Sequence, residues 1–319
     1  MSPGSRAEGL SPEILRISSR KAALLLRAGL LRAIRDFFDS RDFLEVETPI
    51  LIGAPAPELH IDPIEAEGGY LQTSPELCMK RLLAAGFKKI YQISKCFRKG
   101  ERGNLHLPEF TMLEWYHSGI GYRELMTECV ELFKFVAGEC GSVGKIRFRN
   151  HEIDLERPWE YLRVEEAFER WSPIPLAKAL RDGDFDIIMV ENIEPRLGRN
   201  VPSFIYDYPI SLGSLARSVP DDGRFAERFE FYVGGLELAN GFSELCDPVE
   251  QRGRFRNDIS ARQALGKSCG PMPERFLDAL GSMPEAAGIA LGVDRMVMVM
   301  GGFSDIDSVV AFTPEETAD

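Results

Sequence analysis

Apolar residues recur at helical spacing between Ser18 and Ser40, where Leu26, Leu30, Ile34 and the Phe37-Phe38 pair share one face, so this stretch is expected to be an amphipathic helix. Arg41–Leu51 (RDFLEVETPIL) reads as a short strand closed by Pro49. Such a strand suits an edge or an interface, because proline cannot donate to a ladder. Gly53–Glu58 is a loop. Ser74-Pro75-Glu76 places a capping residue, a proline at the first helical position and an acid in the first turn, which predicts a helix running to Gly86. Further along, the spacing predicts helices over Tyr122–Glu139, Arg163–Arg170, Phe185–Leu197 and Glu250–Leu265, with a hairpin over Lys145–Leu155.

The chain is organised around Ser94–Ser118, SKCFRKGERGNLHLPEFTMLEWYHS. An apolar strand (Lys89–Ser94) leads into a polar loop, and a second strand starts at Phe110. Side chains alternate faces along a strand, so Phe110, Met112, Glu114 and Tyr116 share one face while Thr111, Leu113, Trp115 and His117 share the other. A carboxylate and a phenol below a loop carrying Arg98, Lys99, Arg102 and His106 fit a cleft that holds an anion at the loop and an ammonium at the strand. An exposed strand under a solvated basic loop is the alternative.

From Phe204 to Glu244 the pattern predicts antiparallel strands, with Gly234-Gly235 as a two-residue hairpin turn. That turn would pair Tyr232 with Glu237 and Glu230 with Ala239, putting Glu230 and Glu237 on one face. Adjacent carboxylates repel unless a cation lies between them, so they either face water or hold a metal. Asn240, Phe242 and Glu244 form a second set. Strict alternation points this set away from the two glutamates unless a bulge intervenes, for which Asn240-Gly241 is the expected place. Lastly, GIALGVDRMVMVMGG (Gly288–Gly302) reads as a glycine-punctuated strand running into a buried helix. Arg295 in that helix's first turn opposes the macrodipole and so points to a ligand anion.

Composition narrows the class. With 319 residues, 44% hydrophobic and 28% charged, the chain can bury a substantial core. Fifty acidic against 38 basic residues give a formal charge of −12, which disfavours an extended nucleic-acid surface. Six cysteines without a C-x-x-C pair fit reduced thiols rather than a zinc site. No apolar run is long enough to span a membrane and the N-terminus lacks a signal-peptide core, so a cytoplasmic protein is expected. Gly266-Lys267-Ser268 is not a P-loop, since Ala261 stands where the first glycine belongs.

These residues resemble a family. FR–loop–H-x-PEFTMLEWY is similar to motif 2 of class II aminoacyl-tRNA synthetases, GIALGVDR to motif 3 and RDFLEVETPIL to motif 1. TSPELCMKRL (Thr73–Leu82) and GLELANGFSEL (Gly235–Leu245) are similar to the lysyl-tRNA synthetases. Motif 1 begins near residue 41, which leaves no room for the anticodon-reading OB domain ahead of it. The pattern is therefore identified with the free-standing paralogues, the elongation factor P–lysine ligases.

The resemblance implies an α+β fold, an antiparallel sheet flanked by helices in one catalytic domain over residues 16–319, with a flexible leader over residues 1–15. It implies a homodimer through motif 1 and ATP-dependent activation of lysine or (R)-β-lysine, with transfer to a lysine of elongation factor P rather than to tRNA. Arg98 would bridge carboxylate and α-phosphate, and Arg295 would hold the γ-phosphate and adenine. Phe110 would stack on adenine and His106 would lie near the phosphates, with Lys99, Gly100, Leu238 and Gly292 completing the ATP site. Glu230 and Glu237 would bind Mg²⁺. Glu114, Tyr116 and Glu244 would meet the distal ammonium, Phe242 the aliphatic stem, Asn240 the carboxylate and Glu76 the other amine, while Ser74, beside Glu76, would bear on the choice between α- and β-lysine. Ala290 stands where lysyl-tRNA synthetases usually have Gly and would bear on the choice between α- and β-lysine. Two departures stand out: Arg98-Lys99-Gly100-Glu101 replaces the usual FRNE spacing, and His106-Leu107-Pro108 replaces His-Asn-Pro. A synthetase-like enzyme with another acceptor and a non-catalytic regulator are the rival readings.

Overall fold

A computed structural model describes residues 11–318. Most of the expected leader lies outside the described residues, but its last part is helical. Pro12–Ser19 is a helix capped by Ser11, whose hydroxyl accepts from the Ile14 N–H at 3.3 Å. After a break at Arg20, the helix Lys21–Asp39 buries Leu30, Ile34, Phe37 and Phe38, the face that the spacing singles out. Full burial of each such side chain contributes about 1.5–3 kcal/mol.

Among the described residues the central sheet has nine strands. Its order runs Leu44–Glu45, Lys89–Phe97, Glu109–Ser118, Ala286–Gly292, Leu236–Ser243, Asp222–Val233, Ser203–Pro209 and Glu160–Arg163, with Ser218–Val219 attached to Asp222–Val233. The central pairings are antiparallel, and the two outermost are parallel. With helices packed against it, this is the expected α+β architecture.

One face of the sheet builds the core. Leu113 and Trp115 are fully buried against the helices Lys21–Asp39 and Tyr122–Glu139, and Phe38 stacks on Tyr91 at 4.5 Å. Buried Asp294, opening the helix Val293–Gly301, accepts from the Thr111 N–H at 2.7 Å and pairs with Arg27 at 2.5 Å. That carboxylate ties the last strand–helix unit to the Glu109–Ser118 strand and to the N-terminal helix.

Three local expectations change. Arg41–Leu51 forms only two-residue strands, Leu44–Glu45 and Leu51–Ile52, because the proline-containing segment between them pairs with nothing continuous. Phe185–Leu197 begins as an α-helix over Phe185–Ile188, widens to a π-helix over Met189–Ile193 and ends as a 3₁₀ turn over Glu194–Arg196. Pro195 lacks the N–H that regular α-bonding would require there. Leu176–Asp182 and Glu274–Leu280 are short helices begun after prolines, in stretches too short to carry a clear period.

Candidate active site

Strand register assembles the site. Glu114, Ala290, Asn240 and Glu230 are successive cross-strand partners, forming one row across four strands. Tyr116, Gly288, Phe242 and Arg228 form the next row. All eight line one cavity of about 680 Å³ on the face away from the core.

A bulge makes the rows possible, but not at Asn240-Gly241. The Gly234-Gly235 turn (φ +61° and +71°) pairs Tyr232 with Glu237 as expected. Phe231 then pairs with Ala239, leaving Leu238 as the extra residue, so Glu230 faces Asn240 rather than Ala239. The inserted residue shifts the alternation by one and brings Glu230, Glu237, Asn240 and Phe242 to the same side. Gly288 is needed for another reason. A methyl there would overlap the Tyr116 ring and stand 2.6 Å from Glu244 Oε1, so only glycine lets the phenol cross the strand.

The basic end of the cavity joins segments far apart in sequence. Arg98 lies with its guanidinium carbon 5.1 Å from the Phe110 ring centroid, and its buried Nε has no partner within the protein. Arg295 donates to His106 Nε2 at 2.6 Å and to the Glu237 carbonyl at 2.8 Å. Burial, reinforced by Arg295 and Arg98, holds His106 down to about 4, so the imidazole stays neutral and accepts that bond. Gly292 and Leu238 line the same end. An unsatisfied guanidinium N–H beside an aromatic face suits a flat, anionic ligand.

Between the two ends lie Glu230 and Glu237. Glu230 accepts from Arg228 and from the Tyr232 hydroxyl, each at 2.7 Å, and Glu237 lies 3.4 Å from Arg295. Burial and the charge of Glu230 raise the Glu237 pKa, with Arg295 opposing. Among the described residues no three metal-ligating side chains converge. A divalent cation on this pair would therefore complete its shell with phosphate oxygens and water, an arrangement typical of magnesium.

The acidic end is buried and interlocked. Tyr116 donates to Glu114 Oε1 at 2.5 Å, and Ser74 donates to Glu114 Oε2 at 2.8 Å. Ser74 also accepts from the Glu76 N–H at 2.9 Å, but the helix Glu76–Ala84 begins one residue later than expected, with Pro75 rather than Ser74 at its cap position. Burial, with the charge of Glu76 added, pushes Glu114 up to about 8 against the hydrogen bonds from Tyr116 and Ser74.

Three expected site residues fall elsewhere. Lys99 and Gly100 are exposed and do not line the cavity, because the Lys99 N–H is drawn to the Asp62 carbonyl at 2.7 Å. Glu244 lies behind the wall, paired with Lys80 at 2.5 Å, and its Oε1 lacks any partner.

Other groups in or behind the cavity wall escaped sequence reasoning. Lys80 is fully buried between Glu76 and Glu244, although its i, i+4 spacing from Glu76 was a readable signal. Arg228, over Tyr208 at 4.5 Å, alternates with Glu230 and could have been found by period two. Glu58 and Glu194, both pushed up to about 7 chiefly by burial, come from loop and irregular helix, where no periodicity marks them.

The family model of class II tRNA synthetases (D, K and N) matches residues 13–316. The chain is 41% identical over 303 residues to the elongation factor P–(R)-β-lysine ligase of Vibrio cholerae, covering 90% of this chain and 93% of that one. It is 43% identical over 311 residues to the Proteus mirabilis protein of the same name, covering 92% and 96%. For that of Salmonella typhi the identity is 41% over 306 residues, covering 91% and 94%.

Proposed function

This chain belongs to the class II tRNA synthetase family, among its elongation factor P–(R)-β-lysine ligases, and on that premise we propose a residue-level account of how it ligates β-lysine or lysine to elongation factor P. It is an ATP-dependent ligase. The observation that carries the account is that Arg98 and Arg295, nearly two hundred positions apart, line one cavity with the Glu114–Tyr116 face.

In the first step the amino-acid carboxylate attacks the α-phosphorus of ATP, a P–O bond to pyrophosphate breaks, and an aminoacyl-adenylate forms. Charge builds on the α-phosphate, so the need is for fixed cations rather than a proton carrier. Arg98 bridges the carboxylate and the α-phosphate, its free Nε–H supplying a donor, and Phe110 lies under the adenine. Arg295, held by neutral His106, takes the γ-phosphate. Magnesium on Glu230 and Glu237 would neutralise phosphate charge. In the second step the lysine amine of elongation factor P attacks the acyl carbon, the bond to AMP breaks, and an amide forms.

Glu114 and Tyr116 receive the distal ammonium, whose desolvation is costly unless carboxylates meet it. Phe242 lies along the stem, Asn240 meets the carboxylate, and Ser74 and Glu76 lie toward the other amine. Ala290 stands between Glu114 and Asn240 in the row, so its methyl narrows the space at the amine nearer the carboxylate. Ala290→Gly is expected to raise the use of α-lysine relative to β-lysine; an unchanged ratio would defeat that role.

We also infer a cytoplasmic homodimer that does not charge tRNA. Exposed Leu44, Ile50 and Leu51 on motif 1 support the dimer, and the charge of −12 supports a protein acceptor over RNA. No helix of the described residues is long and apolar enough to cross a membrane. The test is lysine- and β-lysine-dependent ATP–pyrophosphate exchange, followed by mass measurement of elongation factor P and of bulk tRNA. A mass gain on the protein is expected, and a gain on tRNA alone would reverse the reading.

A further inference from the structure

Lys80 sits where a protein seldom spends a charge. Its side chain is 1% exposed, with Nζ 2.6 Å from Glu76 Oε1 and 2.5 Å from Glu244 Oε2. The Phe242 ring lies 5.0 Å away. Burial by itself would lower its pKa, but Glu244 and Glu76 outweigh that effect, so the amine stays charged. Glu114 adjoins this cluster through Ser74, which bonds both the Glu114 carboxylate and the Glu76 backbone.

With Glu76, Glu114 and Glu244 all ionised, the state an arriving ammonium favours, the acidic end sets three carboxylates against one resident ammonium, a deficit of two. The arginines of the cavity are engaged elsewhere: Arg228 on Glu230, Arg295 on Glu237, and Arg98 nearest to Glu101 at 4.0 Å. Two is the number of positive charges that a diamino acid carries on its amines. A monoamino acid would meet only one of these charges, so the second carboxyl would keep its proton and the pocket would forgo one of the two buried ion pairs that a diamino acid forms.

We infer that Lys80 is a specificity-determining residue, a built-in counterion that sets the charge deficit of the pocket at two and so selects diamino acids by charge count. Glu244, behind the wall, serves mainly as the partner that holds this ammonium in place, and Lys80 in turn fixes Glu76. This inference rests on the reading of the pocket as an amino-acid site.

The test compares Glu244→Gln with the double variant Lys80→Met/Glu244→Gln in ATP–pyrophosphate exchange. Lysine, β-lysine and 2-aminohexanoate, the same chain without its distal amine, serve as substrates. Glu244→Gln leaves Lys80 paired with Glu76 and reduces the deficit to one. Its KM for the diamino acids should rise roughly tenfold or more with a smaller change in kcat, and its preference should move toward 2-aminohexanoate. The double variant removes the internal pair whole, with methionine filling the space of the lysine stem, and restores the deficit to two. Its KM should return to within about threefold of the unmodified enzyme, a non-additive rescue that simple loss of packing would not give. A double variant no better than Glu244→Gln alone, with exchange by the unmodified enzyme still seen, overturns the inference and leaves the reading of the site standing. If the unmodified enzyme performs no exchange with either diamino acid, the reading of the site falls and this inference falls with it.

Discussion

The two ends of the cavity recognise charge in opposite ways. At the acidic end every group is committed in the free protein: Glu114 to Tyr116 and Ser74, Glu76 to Lys80, Lys80 to Glu244. At the basic end donors stand ready, with a buried Arg98 Nε unpartnered and Arg295 held by His106, two backbone carbonyls and a distant carboxylate. On the proposed reading the difference follows from the ligands. An ammonium must leave water to enter, so its partners are buried and ordered in advance, whereas a triphosphate keeps much of its hydration and brings its own cation.

Substitutions should separate the two ends by which kinetic constant they change. The largest effect is expected at the basic end. Arg98→Ala should lower kcat for pyrophosphate exchange by about 10²–10³-fold with thermal stability unchanged, since it removes a donor needed as charge develops. Equal losses in KM and none in kcat would assign Arg98 to ground-state binding instead. At the acidic end Glu114→Gln should act chiefly on KM for the diamino acid, raising it roughly 10²-fold, because a buried ammonium loses its counterion. A purely kcat effect would erase the contrast between the ends.

Gly288→Ala should be smaller but broader. The added methyl forces Tyr116 aside, and overpacking of this kind costs about 1–3 kcal/mol. Both a lower melting temperature and a weaker KM are expected; loss of one without the other would uncouple the phenol from the wall. Proton linkage gives a subtler signal. With Glu114 at about 8 in the free enzyme, among Glu76, Lys80, Tyr116 and Ser74, the carboxyl is mostly protonated at neutral pH. An arriving ammonium favours the ionised form, so binding should release a proton near pH 7 and cease to do so above about pH 9. Calorimetry in buffers of different ionisation heat measures this, and Glu114→Gln should abolish it. The smallest effect belongs to Lys99→Ala, less than about twofold on either constant, because its side chain is exposed outside the cavity.

Much of this architecture was legible along the chain. The buried face of Lys21–Asp39, the helix Tyr122–Glu139 and the alternation that puts Glu114 and Tyr116 together follow from local periods of 3.6 and two, which need no knowledge of distant partners. Local pattern put Arg98 in a basic loop and Arg295 in the first turn of a buried helix, and the resemblance to class II synthetases implied a phosphate partner for each. Where expectation failed, the missing information was non-local. Nothing local announces that the Asp62 carbonyl takes the Lys99 N–H or that Lys80 lies against Glu244.

The sequence by itself determined which residues alternate, which segments coil and which charges the chain carries. Only the tertiary structure decided that the extra residue is Leu238, which shifts the hairpin by one and aligns Glu230 with Asn240, Ala290 and Glu114 in one row. Periodicity is a property of neighbours, but register is settled by packing between strands distant in sequence. One inserted residue costs little locally, yet it reverses which face every later side chain presents.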